Sequence, residues 1–207
     1  MDNQATLGIT SAILMLSFII ISATATSIFT NFTNNISTDN YDKTIKETID
    51  EISTYIQIKE ALGKYYQINE EQYIQKIAIL IKPLISCNID ISNLIIKINN
   101  GNLVKFFSYS YQADFIKSNT LFEHPIWDNI NNSNFGFIMT LDEDKSLFNY
   151  NTLNSNTDIA YIIIPLSKEL YMNKGDTLEI TLIPSTGITK TLTIQAPMPT
   201  KKLVSLF

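Results

Sequence analysis

Asp142, Glu143 and Asp144, with Asp158 further along, form the densest run of hard oxygen donors in the chain. Ca²⁺ is the ion such carboxylates would hold. Their spacing lacks the Asp-x-Asp-x-Asp-Gly loop that wraps a calcium ion, so a solvated acidic turn is expected. Asp142 and Asp144 are kept as the metal candidates, and no other cofactor is suggested. Cys87 is the single cysteine, which excludes an internal disulfide. As a nucleophile it would need a base, and the one histidine, His124, has no recognisable context; Cys87 is expected to be a small buried residue. No HExxH, phosphate-cradling glycine loop, nucleophile elbow or Cys/His cluster occurs, so no residue is assigned a catalytic role. Three Asn-x-Ser/Thr sequons begin at Asn31, Asn35 and Asn131, and Asn131, set among other asparagines, best suits a solvent-facing loop.

These residues sit in a chain of two unlike parts. Residues 3–38 carry no charged side chain. Within them Gly8, Ile9, Ile13, Leu14, Leu16, Phe18, Ile19, Ile20, Ile21, Ile28 and Phe29 supply an apolar run of membrane-spanning length. Thr10, Ser11, Ser17, Ser22, Thr24, Thr26 and Ser27 punctuate it, and small or hydroxylated residues let neighbouring helices approach closely. The Ala23-Thr24-Ala25 sequence resembles a signal-peptidase site, but no Lys or Arg precedes the apolar block. A membrane anchor and the stem of a filament subunit are therefore preferred to a removed signal. Ile45, Ile49, Ile52 and Ile56 recur at helical spacing with charges between them, and Leu62, Tyr65 and Tyr66 extend the pattern. A rod over residues 1–66 is expected, on the order of 90 Å long if helical throughout. Such a rod must be covered by other copies or by membrane.

From residue 67 to 207 the period changes to 2. Apolar or β-branched runs at 74–85, 94–98, 103–109, 135–141, 160–165, 177–183, 188–194 and 203–207 read as strands. Asn100-Gly101 marks a hairpin through a primed turn. Trp127 and the aromatic set Phe106, Phe107, Tyr109 and Tyr111 are expected in the core and its cross-strand ladder. The fold class is α+β: a long hydrophobic N-terminal helix followed by an antiparallel, immunoglobulin-like β-sandwich head. The net charge of −5, with no basic stripe, excludes nucleic acid as a partner, and Lys201-Lys202 is expected to decorate a terminal strand.

The order of several short motifs resembles the archaellins, the subunits of the archaeal swimming filament. Gly8-Ile9-Thr10 and the following apolar run are similar to the archaellin stem. Ile77-Ala78-Ile79 and Ile89-Asp90-Ile91-Ser92-Asn93-Leu94 resemble the first head strands. His124-Pro125-Ile126-Trp127, Phe135-Gly136-Phe137-Ile138 and Asp142-Glu143-Asp144 resemble the family's Trp, Phe-Gly and acidic region. Lys174-Gly175-Asp176, Leu182-Ile183-Pro184, Ala196-Pro197 and Leu206-Phe207 look like its closing strands. The resemblance implies an extracellular filament of copies of the chain, with or without a sister archaellin, with stems inside and heads outside. It also implies residence in the membrane before assembly and glycosylation of sequon asparagines. The family's precursor carries a short basic leader, so numbering is expected to start on a processed chain. A membrane-anchored adhesive pilin or a stator-type protein with a similar head is the alternative reading.

Overall fold

The computed structural model describes residues 14–22, 26, 44, 48, 55–68, 70–116, 121–185 and 187–207. The chain divides into two compact units, Met1–Thr48 and Ile49–Phe207. In the first, residues 14–22 are helical, as are Thr26, Thr44 and Thr48. The continuous rod expected over residues 1–66 otherwise lies outside the described residues, up to Tyr55.

The second unit is built on one nine-stranded sheet. Its strands are β1 (Ile56–Ile68), β2 (Glu71–Pro83), β4 (Ile95–Asn99), β5 (Val104–Phe115), β6 (Asn134–Leu141), β8 (Ile159–Pro165), β9 (Thr177–Ile183), β10 (Lys190–Gln195) and β11 (Leu203–Ser205). Their order is β10-β9-β4-β5-β6-β8-β2-β1-β11, and β3 (Ile89–Asp90) pairs separately with β7 (Thr152–Leu153). The sheet curls so that its ends meet: the Leu206 carbonyl, just past β11, accepts from the backbone N–H of Gln195 at the end of β10 (3.3 Å). One continuous curled sheet thus stands where two facing sheets were expected. It is also not wholly antiparallel, since β5 and β6 run parallel.

Residues 56–66 were expected at the end of the helix, and they form β1 instead. Ile56 satisfies both periods, which hid the change. Beyond it, the inward positions of β1 are Ala61, Gly63 and Tyr65, and small residues at two of these leave little trace in a hydrophobicity pattern. A register shift between Ile58 and Glu60 interrupts the alternation further. Gly63 is required by the fit: a Cβ there would lie 3.0 Å from side-chain atoms of both Ile74 and Leu206. The β4–β5 hairpin forms as expected, but through the four residues between Asn99 and Val104. Only Gly101 (φ 87°) adopts positive φ there, so the turn is not the primed type. Asn99 and Asn100 hold it by accepting from the backbone N–H groups of Gly101, Asn102 and Leu103.

Inside the curl, Phe107, Phe135, Phe137, Ile77, Ile96 and Ile180 form a core from which solvent is excluded. A second cluster lies on the opposite face, where Phe122, Ile126, Trp127 and Ile130 cover Ala78, Ile138 and Ile163. The covering residues come from two 3-10 turns, Leu121–Glu123 and Pro125–Asn129. The β6 residues 135–139 are consequently buried on both faces, and they read as an uninterrupted apolar run rather than an alternating one. Trp127 stacks on Phe122 (centroids 5.7 Å, 13° between planes) and donates its indole N–H to the Leu121 carbonyl (2.8 Å). Of the aromatic set, Phe107 and Tyr109 are buried as expected, whereas Phe106 and Tyr111 face outward at 58% and 65% exposure.

Candidate assembly site

Residues 14–22 carry the clearest functional signature. Leu14, Met15, Leu16, Phe18, Ile19, Ile20 and Ile21 are each 55–71% exposed. At 100° per residue they point to every side of the helix, so no face is polar. A helix that is apolar all round is stable only when surrounded. Covering these seven side chains is worth on the order of 10 kcal/mol before ordering entropy is subtracted. The hydroxyls suit such surroundings. Ser22 donates to the Phe18 carbonyl (2.8 Å) and Thr26 to the Ser22 carbonyl (2.7 Å), so both hydroxyls bond to backbone four residues earlier. Of the other stem candidates, Gly8, Ile9, Ile13, Ile28 and Phe29 lie outside the described residues, as do Asn31 and Asn35.

The acidic residues converge as well. Asp142, Asp144 and Asp158 place a carboxylate oxygen each within 4.8 Å of one another. Asp142 and Asp158 are buried, and burial pushes the Asp142 carboxyl above its ordinary pKa. Each is already occupied in holding loop backbone. Asp142 accepts from the N–H groups of Ser146 (3.0 Å) and Phe148 (3.4 Å), fixing the start of the short helix α1 (Ser146–Tyr150). Asp158 accepts from the N–H groups of Asn154 and Ser155 (both 2.9 Å). Asp144 is exposed and accepts from the Asn154 amide (2.5 Å) and Ser146 N–H, contacts that hold its carboxyl below the ordinary range. The set fastens the β6–β8 connection. Asn154, which the sequence did not single out, ties the two ends of that connection together.

His124 and Cys87 have structural settings. His124 is buried; its Nδ1 accepts from Ile126 N–H (3.2 Å) and caps the second 3-10 turn. Its Nε2 lies 3.2 Å from the Phe115 carbonyl and 3.7 Å from Asp114. Cys87 is half-buried against the core, less enclosed than expected, and far in sequence from this histidine. Asn131 is exposed and opens a turn, its carbonyl accepting from Asn134 N–H (2.9 Å).

The glycine of Phe135-Gly136-Phe137 is explained by the parallel pair. β5 bulges between Tyr109 and Ala113, with Tyr111 left-handed (φ 56°). A Cβ on Gly136 would lie 2.9 Å from the Gln112 carbonyl oxygen and 2.5 Å from Ile130. Only glycine lets β6 approach both the bulge and its cover.

Comparison with known proteins matches this architecture to one class. The family model for archaeal-type flagellin matches residues 5–194. Flagellin B3 of Methanocaldococcus jannaschii is 27% identical over 152 residues, covering 72% of this chain and 68% of the relative. The crystal structure of archaeal flagellin FlaB1 from the same organism superposes with a TM-score of 0.63 at 19% identity, covering 73% of this chain and 95% of that one. A subunit of the archaeal flagellum of Methanospirillum hungatei strain JF1 aligns over 97% of this chain and 99% of its own, with a TM-score of 0.54 at 10% identity. The chain belongs to the archaeal-type flagellin family.

Proposed function

We propose that this archaeal flagellin serves as a structural subunit of a cell-surface motility filament, assembled through its N-terminal helix. The observation that carries this reading is the helical stretch 14–22, apolar and exposed on every side, in a chain whose family makes such filaments. Stems bundle around the filament axis and the curled-sheet heads form the outer layer. A stem helix that ends before β1 and a sandwich-like closure of the curled sheet belong to this reading. So do a membrane-resident stage before assembly and the admission of a sister subunit, because the same apolar surface is suited to lipid or to a related stem. Identical subunits joined by heterologous contacts extend into a helix rather than closing into a ring.

The role is mechanical, and no catalytic step is proposed. A glycan on Asn131 fits an exposed turn; intact-mass measurement before and after glycosidase treatment tests it, and an unshifted mass refutes it. The stem is tested by Leu16→Asp. An unpaired carboxylate inside an apolar bundle is prohibitive, so this variant is expected to yield folded heads and no filaments. Normal filaments carrying Asp at position 16 would refute the buried stem.

A further inference from the structure

The head carries two oppositely charged features at opposite ends of its β1–β2 hairpin. At the end where β1 meets β2 lies an open cleft of about 500 Å³, lined by Lys64, Tyr66, Gln72, Lys201 and Lys202 among others. Backbone pairing builds it: Lys64 is opposite Leu203, and Tyr65 N–H donates to the Lys202 carbonyl (2.8 Å), which brings the Lys201-Lys202 segment alongside β1. Lys201 and Lys202 are exposed and have no ion-pair partner among the described residues. Lys64 pairs with Glu123, the cleft's one carboxylate, and Lys76 lies behind it over the Tyr66 and Trp127 rings (5.8 and 4.9 Å to the centroids). Glu70 and Glu71 occupy the hairpin turn beside Gln72, so the free positive charge of the cleft is confined to its Lys201-Lys202 wall.

The other end is acidic. Leu141 opposite Ile159, and Ala160 opposite Ile81, place the Asp142–Asp144 turn beside the far end of β2. From Gln72 at the cleft to Ile81 is nine residues of strand, roughly 30 Å. Glu143 is exposed with no partner among the described residues, Asp144 is exposed beside it, and Lys145 is the turn's own cation. The lysine cleft and the acidic turn therefore cannot meet within one head.

We propose that the Lys64/Lys201/Lys202 cleft docks the Glu143-Asp144 turn of a second copy of this chain. The occupant is identified by complementary charge: the cleft presents unpaired ammonium groups, and the same molecule presents an unpaired carboxylate on a projecting turn. Where all subunits share one orientation, complementary patches at opposite ends meet head-to-tail, which extends a polymer. Such a contact adds register and orientation to the apolar stem bundle, which specifies neither well. The inference rests on the filament reading of this family member.

The test uses purified filaments of the full chain, with free subunit measured after ultracentrifugation at low ionic strength. Lys202→Glu and Glu143→Lys each alter an exposed side chain outside both hydrophobic clusters, and circular dichroism checks that the heads stay folded. Each single variant is expected to release about 1.4- to fivefold more subunit than wild type, the range of one exposed ion pair. The double variant Lys202→Glu/Glu143→Lys is expected to return towards the wild-type value, and high salt to erase the differences. Single variants that release no more subunit than wild type, or a double variant that releases as much as the two singles combined, would overturn the docking while leaving the filament reading intact. A wild-type chain that forms no filaments would overturn that reading, and the docking with it.

Discussion

The two described regions of this chain use the same residue types, Ile, Leu and Phe, and dispose of them in opposite ways. In the curled sheet, Ile74, Ile77, Ile79, Ile81 and Phe107 are wholly buried by their own chain. In residues 14–22 every large apolar side chain is more than half exposed. The sheet resolves its surplus internally: where β2, β8 and β6 present apolar groups on the outer face, the 3-10 turns fold over them. The helix has no such cover within residues 14–22, and its hydroxyls turn inward to their own backbone. A self-sufficient head beside a stretch that requires company is what a subunit needs if it is to fold alone and assemble afterwards.

Breaking the stem should have the largest effect, the complete loss of filaments in Leu16→Asp with folded heads retained. Breaking the head should have the converse signature. Trp127→Ala removes the stacked partner of Phe122 and opens the outer cover; about 3 kcal/mol of head stability should be lost in denaturant titration. If its stability matched wild type, the 3-10 turns would not be the cover described here. Gly136→Ala forces β6 away from the Gln112 carbonyl and should cost about 1–3 kcal/mol by the same measurement. An unchanged midpoint would show that the bulge yields freely.

The smallest effect concerns pH. Burial raises the Asp142 carboxyl above its ordinary pKa. Between the ordinary and raised values the folded head holds a proton that the unfolded chain lacks, so this group's contribution to stability falls as pH rises through that window. Thermal melts of wild type and Asp142→Asn across mildly acidic pH should show wild type gaining on the variant as pH falls. A constant difference would mean that Asp142 titrates normally.

Much of this was legible in the sequence, and the misses have physical causes. The strands beginning near residues 95, 104, 135, 160 and 177 were readable because β-branched and aromatic runs there are bounded by turn residues. β1 was misread because its inward residues are Ala61 and Gly63, chosen for fit against Ile74 and Leu206 rather than for hydrophobicity. That error also hid the cleft, since a helix ending at residue 66 gives no reason to set Lys64 beside Lys201-Lys202, whereas the β1–β11 pairing does. The parallel β5–β6 pair was invisible because the intervening 3-10 segment, which permits the crossover, has no periodic signal of its own. The acidic set was half legible: Asp142, Asp144 and Asp158 were recognised as donors, whereas their engagement with backbone N–H groups depends on loop geometry.

The central claim is that residues near Leu16 are enclosed by other copies of the chain in the assembled filament. Single cysteines placed at Leu16 and at the exposed hairpin residue Asn102 in a Cys87→Ser background, exposed to a water-soluble maleimide in intact filaments without detergent, test it most directly. Rapid labelling is expected at position 102, with protection at position 16 that disappears when the filament is dissociated and denatured. Equal labelling at the two positions in intact filaments would contradict it.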